Sequence, residues 1–368
     1  MVCIVAFVVV LLGSAVSARY RRLLGRAASC AWRRVRLRAC DTTFREDVKA
    51  SLLAPLATRA PRLVRPASIG IEVVAWLLVL SMIVSVYLLG RSGLNLFVYG
   101  TCDKQDAQSC SLAAEMCSID GAPGFAATLA TGDVVGAFGQ EAASLAETIA
   151  AVPSRLRTWD AAEYVSLAPS YLGGYRPDLP TAVEIIDPGC RFCAQLLRNV
   201  HESGFAENHN LTYLVYPIPA ETGSRFANSP LVARFLTAIR LHDADLHGAD
   251  RGPGAAPAAP TETADWHVLE QIFTGTVADG TAAQTWLNAA DPAAAQQQLD
   301  AWVAEAGYTP DDIAAVHALA GSDAVAAELA RVEVMVRDDI RTLAIPSLIA
   351  GGSLRSGLVD VDTLRGLR

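Results

Sequence analysis

The stretch TAVEIIDPGCRFCAQLLRNV, residues 181–200, decides the fold of this chain. Its first half alternates β-branched and other residues and runs into Pro188-Gly189, which is typical of a buried strand that ends in a turn. Its second half repeats apolar residues at helical spacing. Two cysteines, Cys190 and Cys193, stand where the strand pattern changes to the helix pattern. The sequence therefore predicts a strand, a turn and a helix that carry a CxxC motif.

The position of Cys190 favours redox chemistry. A thiol attacks only as a thiolate, and the first turn of a helix supplies unpaired N–H groups and the positive end of the helix dipole. We therefore expect the pKa of Cys190 to lie below that of a free cysteine. Cys193, one turn later, is placed to attack a mixed disulfide formed at Cys190. Arg191 is expected to stabilise the thiolate, and Phe192 to contact the partner polypeptide.

Other interpretations of the CxxC motif remain open. A zinc site would need a second cysteine pair at ligand spacing, but seven and six residues separate the cysteines at 102, 110 and 117. A copper(I) chaperone would also use two thiolates, although the chain has only 4 Met to support metal handling. Two alternatives remain. The two cysteines could form a purely structural disulfide, or the domain could only bind a partner in a peptide groove.

Two apolar segments predict a membrane protein. Val2–Ala18 and Val73–Leu89 carry no charge, and with their flanks each approaches the roughly 20 residues of a spanning helix. The hydrophobic fraction of 52% and the mean hydropathy of +0.30 agree with this interpretation. We therefore predict transmembrane helices over residues 1–18 and 70–90, with the first as a possible signal anchor.

The charge distribution predicts the topology. Residues 19–69 hold 13 Lys and Arg against 3 Asp and Glu, which leaves 17 basic and 35 acidic residues in the rest of the chain. Basic loops beside spanning helices stay in the cytoplasm, so the chain after residue 90 is expected outside. Cleavage of a secretory signal after Val16-Ser17-Ala18 is the alternative.

Cys30 and Cys40, in the basic loop, are expected to be reduced. Basic residues are common beside the ends of spanning helices, so this loop does not by itself indicate nucleic acid binding. No nucleic acid partner is predicted.

A cysteine cluster follows the second predicted span. Cys102, Cys110 and Cys117 lie in an extracytoplasmic linker over residues 91–176, where an oxidising compartment favours a structural disulfide between two of them. The third thiol could pair with Cys3 or with a second chain.

The rest of the chain alternates between helical and strand patterns. Residues 123–176 predict Ala-rich helix and loop, interrupted at Pro153, and NLTYLVYPIP, residues 210–219, predicts a second strand. A long helical region follows, with a Gly- and Pro-rich loop over 248–263. Its helices are expected from Pro230 and around 266–273, 282–287, 293–306 and 323–340. IPSLIAGG and LRSGLVD then predict a hairpin before a short last helix.

Together these motifs resemble the thioredoxin-fold disulfide oxidoreductases, and among them the DsbA-like type with a helical insertion. The resemblance covers about residues 178–368. It implies an α/β, thioredoxin-like domain over 177–368 with an insertion at about 224–341, preceded by two N-terminal transmembrane helices. The Arg-Phe dipeptide between the cysteines departs from the usual DsbA pattern, which leaves the redox direction open.

The resemblance also assigns roles to three residues outside the CxxC motif. Glu184, six residues before Cys190, would be a buried proton acceptor beneath the cysteines. Pro346 would be a cis proline that faces the CxxC motif, and Ile345, the residue before it, would pair with the substrate backbone.

The expected activity is thiol:disulfide exchange on exported cysteine-containing proteins. Because a thiolate of low pKa is a good leaving group, donation of disulfides is favoured over reduction or isomerisation. Donation would require a quinone-linked membrane partner, and reduction an electron donor in the membrane. No cofactor and no metal are predicted.

Overall fold

The computed structural model describes residues 64–101, 104, 116–119, 125–220, 222–246 and 263–367. Several predictions lie outside these residues: the first membrane span, the basic loop up to residue 63, most of the loop over 248–263, and the cysteines Cys3, Cys30, Cys40, Cys102 and Cys110.

Helix α1, Val64–Tyr99, covers the region of the second predicted span. Among the described helices it is the one unbroken helix that is long and apolar enough to cross a membrane by length and composition, with Leu80–Tyr99 as the qualifying segment. Its large exposed apolar side chains are concentrated between Ile69 and Leu89, and Trp76 and Leu89 are each 69% exposed.

A division into two compact units falls after Arg91, within α1. In the second unit, the end of α1 packs on helix α3, Val134–Leu156. Val98 and Tyr99 form a small buried cluster with Ala151. These contacts secure the point at which the chain enters its larger unit. The short helix α2, Phe125–Ala130, precedes α3.

The predicted break at Pro153 is wrong, because helix α3 includes this residue. The helix continues through this residue to Leu156. Proline lacks an N–H and therefore removes one helical hydrogen bond. The turn that follows is held by Arg155, whose guanidinium donates to the carbonyl oxygens of Val98 and Leu354 and to Oγ of Ser356. These hydrogen bonds connect the last turn of α3 to the end of α1 and to the strand Ser353–Ser356.

One four-stranded sheet forms the centre of the larger unit. It consists of β2, Thr181–Ile186, β3, Asn210–Val215, β5, Ser347–Ala350, and β6, Ser353–Ser356, in the order β3-β2-β5-β6. β2 is parallel to β3 and antiparallel to β5, which pairs with β6 in a hairpin. Helix α4, Arg191–Ser203, connects β2 to β3. The parallel pair requires such a crossover, and the topology matches the thioredoxin-like arrangement predicted from the sequence.

Two short strands form a second pairing. β1, Cys117–Ser118, pairs antiparallel with β4, Ala344–Ile345. No sequence signal predicted β1, because two residues are too few to show a strand pattern.

A helical region lies between β3 and β4. Its elements are α5, Ser229–Leu246, α6, Ala264–Thr274, α7, Ala283–Ala289, α8, Pro292–Glu305, α9, Pro310–Ala320, α10, Asp323–Val334, and a π-helical turn, Met335–Ile340. Helix α9 was not among the helices predicted from the sequence, although Thr309 and Asp312 form a capping box at its start, which is a recognised helix signal. The last helix, α11, is Val361–Gly366.

A single hydrophobic core joins the sheet to the helical region. Tyr213 of β3, Phe235 of α5 and Trp266 of α6 are fully buried in it. Full burial of the Phe235 side chain contributes about 1.5–3 kcal/mol by leaving water. The helical region is therefore packed onto the sheet and holds the site at the start of α4.

Candidate active site

The turn between β2 and α4 positions the CxxC motif. Cys190 is the N-cap residue of α4, with extended backbone angles. Its N–H donates to the carbonyl oxygen of Asp187 at 3.0 Å, and its own carbonyl oxygen accepts from the N–H of Cys193 at 3.0 Å. Cys190 therefore stands at the point where the helix begins and where unpaired N–H groups converge.

Cys190 is bonded to a cysteine from a distant part of the chain. Its disulfide partner is Cys117 of β1, 73 residues earlier in the sequence. Cys193 is a free, buried thiol. From the sequence, two of the three linker cysteines were expected to pair and the partner of the third was left open. The structure pairs Cys117 with Cys190, and the prediction for Cys102 and Cys110 lies outside the described residues.

The segment that carries Cys117 lies along the strand before Pro346. Cys117 is opposite Ile345 in the register of β1 and β4. The N–H of Ile119 donates to the carbonyl oxygen of Leu343 at 3.0 Å. The Ile345-Pro346 peptide bond is cis, and Sγ of Cys190 lies 3.6 Å from the carbonyl oxygen of Ile345. The structure thus brings together Cys190, the cis proline and an extended cysteine-bearing segment.

Glu184 is buried in the middle strand of the sheet. It lies between Tyr213 of β3 and Leu348 of β5 and is 2% exposed. Its Oε1 atom has no hydrogen-bond partner among the described residues. Burial raises the pKa of Glu184 to about 8, and the charge of His201 acts in the opposite direction. A carboxyl group with such a pKa exchanges protons near neutral pH, as a proton acceptor for a thiol would.

The surroundings of Cys193 keep its thiol protonated. Burial raises the pKa of Cys193, and the negative charges of Asp187 and Glu184 raise it further. The N–H of Asp187 donates to Sγ of Cys193 at 3.4 Å, which acts in the opposite direction. Cys193 therefore needs a base before it can attack, and the two neighbouring carboxyl groups are the described candidates.

Asp187 organises the turn, and it was not among the site residues predicted from the sequence. Its Oδ1 accepts from the N–H of Gly189 at 2.8 Å and from the hydroxyl of Ser229. Its Oδ2 accepts from the N–H of Ile218 at 2.7 Å. Burial raises the pKa of Asp187, and these hydrogen bonds partly offset the shift. An Asp directly before Pro-Gly is a recognisable turn signal, so this residue could have been found.

Two side chains of helix α7, in the helical region, form hydrogen bonds with the same turn. Nε2 of Gln284 donates to the carbonyl oxygens of Pro188 at 2.7 Å and Cys190 at 3.1 Å. Nδ2 of Asn288 donates to the carbonyl oxygen of Gly189 at 2.9 Å. Three consecutive carbonyl groups are thereby satisfied by side chains about 95 residues away, and no local sequence signal predicts such contacts.

Similar solved structures are known, although no family model and no curated protein matches the sequence. A thioredoxin-like oxidoreductase from Silicibacter pomeroyi DSS-3 is 17% identical and covers 54% of this chain and 90% of its own, with a TM-score of 0.36. ScsC from Proteus mirabilis is 14% identical and covers 66% and 92%, with a TM-score of 0.35. The thiol-disulfide exchange protein α-DsbA2 from Wolbachia pipientis is 18% identical and covers 54% and 84%, with a TM-score of 0.32.

The chain resembles DsbA-like thioredoxin-fold proteins. At identities of 14–18% this similarity concerns the fold alone. In the structure, Arg191 is exposed and its guanidinium carbon lies 4.6 Å from the centre of the Phe192 ring. Phe192 is half-buried, so both side chains lie at the surface beside Cys190.

Proposed function

We propose that this protein is a membrane-anchored, extracytoplasmic thiol:disulfide oxidoreductase that donates disulfides to exported proteins. One observation carries the proposal. Cys190 is joined to a cysteine in an extended segment that pairs with the strand before Pro346, and the free thiol of Cys193 lies one helical turn away. A disulfide at the first cysteine beside a free second cysteine has the connectivity of an exchange intermediate.

The reaction follows from this arrangement. In the oxidised form, Cys190 and Cys193 share the disulfide, and a client thiolate attacks Sγ of Cys190. Cys193 leaves and takes a proton, for which Glu184 is the nearby donor. The second client thiolate then attacks the client sulfur, and Cys190 leaves as a thiolate stabilised by the start of α4. The client loses two electrons and forms a disulfide, while the CxxC pair gains them and becomes a thiolate at Cys190 and a thiol at Cys193.

The chain needs an oxidant to repeat the reaction. We propose a quinone-linked membrane protein as this oxidant, because the reduced CxxC pair must pass two electrons to an acceptor before it can react again. The proposed location rests on the net positive charge of residues 19–69 and on the exposed apolar surface of α1. Together these favour an anchor in the lipid bilayer with the thioredoxin-like domain outside.

The test is exchange by the full-length protein in detergent. Wild type should oxidise a dithiol peptide, and Cys190→Ser should abolish this activity. Cys30→Ser is the matched control, since it removes a cysteine that we place on the cytoplasmic side. Full activity in Cys190→Ser would refute the proposal.

The reduction potential measured against glutathione decides the direction. A strongly oxidising couple is expected for a disulfide donor. A strongly reducing couple would make the protein a reductase instead, and the absence of a measurable couple would rule out both directions.

A further inference from the structure

The segment Met116–Ile119 occupies the place that an exchange partner of Cys190 must take. A partner has to bring its sulfur to Sγ of Cys190, and that atom is bonded to Cys117. Cys190 is 0% exposed and Cys117 only 7%. No second polypeptide can therefore reach Cys190 while this segment is in place.

The segment is held by backbone hydrogen bonds as well as by the disulfide. It pairs antiparallel with Ala344 and Ile345, and the N–H of Ile119 extends the pairing to Leu343. Backbone pairing of this kind accepts any extended peptide, because it does not depend on the side chains that the peptide carries.

The side chains of the segment define two apolar contacts. Met116 is 2% exposed and packs with Ala344. Ile119 packs on the main hydrophobic core. Successive residues of an extended chain point to opposite sides, so Cys117 and Ile119 share one side and Met116 lies on the other. The site therefore accommodates an apolar residue directly before the cysteine and a second one two positions after it.

We propose that Met116–Ile119 is an internal substrate of Cys190 and Cys193, and that it represents the client class of this site: extended segments with an apolar residue before the cysteine and another two positions after it. The inference rests on the proposed function. It adds Cys117 as a third redox-active cysteine and makes this segment a competitor of external clients.

The exchange step balances without an oxidant or reductant. Cys193 loses its proton and attacks Sγ of Cys190, so that the Cys190–Cys193 bond forms and the Cys117–Cys190 bond breaks. Cys117 leaves as a thiolate and takes up one proton. One disulfide and one thiol are present before and after the step, and the chain passes from a self-occupied form to one that is open to clients.

Competition by the segment should be strong because it is intramolecular. A tethered group reaches an effective concentration of about millimolar, and clients at micromolar concentration would compete with it poorly. Removing Cys117 should therefore speed the reaction with external clients by roughly tenfold or more.

The first experiment maps disulfides and rates in the full-length protein. After equilibration with a glutathione buffer, acid quenching and alkylation, mass spectrometry should find the Cys117–Cys190 peptide in wild type. Cys193→Ser should accumulate this bond, and Cys117→Ser should shift the oxidised fraction to Cys190–Cys193. Cys110→Ser, which removes another linker cysteine, should keep the wild-type pattern. Met116→Lys retains the cysteine but weakens the apolar contact, so it should also accelerate exchange with clients.

The second experiment tests the client class. The probe is a synthetic peptide of residues 113–121, AAEMCSIDG, reacted with the Cys117→Ser protein. A control peptide carries Met116→Lys and Ile119→Lys and should react roughly tenfold more slowly, because two apolar contacts are lost. Equal rates for the two peptides would refute the assigned client class.

Failure of this inference can be told apart from failure of the proposed function. Suppose that the Cys117–Cys190 peptide is absent and Cys117→Ser reacts at the wild-type rate, while Cys190→Ser is inactive. The internal substrate is then wrong and the oxidoreductase stands. If the Cys117–Cys190 bond is found but wild type and Cys117→Ser are both as inert as Cys190→Ser, the bond is a purely structural disulfide, and both the internal substrate and the oxidoreductase are wrong.

Discussion

Glu184 shows how a single buried carboxyl group couples stability to pH. Its pKa is raised to about 8 by burial, from an ordinary value of 4.5. The folded protein therefore holds a proton that the unfolded chain has already released. The stability that this difference contributes is complete below about pH 4.5 and is lost as the pH rises through about 8.

Glu184→Gln should flatten the dependence of stability on pH. Glutamine keeps the shape of the side chain but does not titrate, so the variant should not lose stability between pH 5 and pH 8. For wild type the loss over this range is on the order of 4 kcal/mol at most, since one pKa unit corresponds to about 1.4 kcal/mol. Urea unfolding across this pH range measures both profiles, and parallel profiles would contradict the raised pKa.

The same substitution should slow the resolving step. Cys193 is buried and protonated, and glutamine cannot accept its proton. We expect attack of Cys193 on a mixed disulfide at Cys190 to slow by roughly a hundredfold, as is usual when a general base is lost. Quenched-flow alkylation follows the step directly. An unchanged rate would assign the proton transfer to Asp187 instead.

The positions of the residues near the CxxC motif could be predicted from the sequence. The contacts made by residues distant in the sequence could not. Cys190, Cys193, Glu184 and the cis Pro346 follow from local pattern together with a family resemblance. Gln284 and Asn288 carry no signal, because ordinary polar residues on a helix acquire a role only through tertiary packing. The bond between Cys117 and Cys190 was equally hidden, since spacing along the chain does not determine which thiols meet.

At the scale of elements, the junction between β2 and α4 depends on close packing at Gly189. A Cβ atom at this position would lie 2.3 Å from Cγ of Phe226. Gly189→Ala should therefore destabilise the protein by about 1–3 kcal/mol, as overpacking usually does. Gly139→Ala is the control: it lies in α3 with nothing within 4 Å of the added atom. It should be neutral or stabilising, because alanine favours helix more than glycine does. Chemical denaturation of both variants makes the comparison.

Replacing Pro153 should stabilise the protein, in contrast to Gly189→Ala. It is exposed and lies inside α3, so its ring contributes little packing while its missing N–H weakens the helix. Pro153→Ala should stabilise the protein by about 1–3 kcal/mol. A lower midpoint of thermal unfolding would show instead that the proline is required for the approach of Arg155 to the end of α1. Sequence rules alone placed a break here, because they do not include the tertiary hydrogen bonds of Arg155.

For the whole molecule, the exposed apolar surface of α1 should determine whether the protein is bound to a membrane. Leu80 and Ile83 are each 58% exposed. Replacing both with Arg should impair insertion, because each charge near the centre of a spanning helix costs about 2.5–3.5 kcal/mol. Carbonate extraction of membranes measures this, and Leu129→Arg, outside the predicted spans and 41% exposed, is the control. Equal retention of both proteins in the membrane would argue against α1 as the anchor.

The order of strands in the sheet has a consequence for biosynthesis. β2 forms hydrogen bonds with β3, about 30 residues later, and with β5, which follows only after the helical region. While the ribosome is still adding that region, the edge of β2 that will accept β5 has no partner, and Glu184 has only one of its two neighbours. The nascent chain must therefore hold the strand that leads into the CxxC turn half-paired until residues 347–356 emerge. This late, long-range closure favours slow folding and gives chaperones a defined interval in which to act.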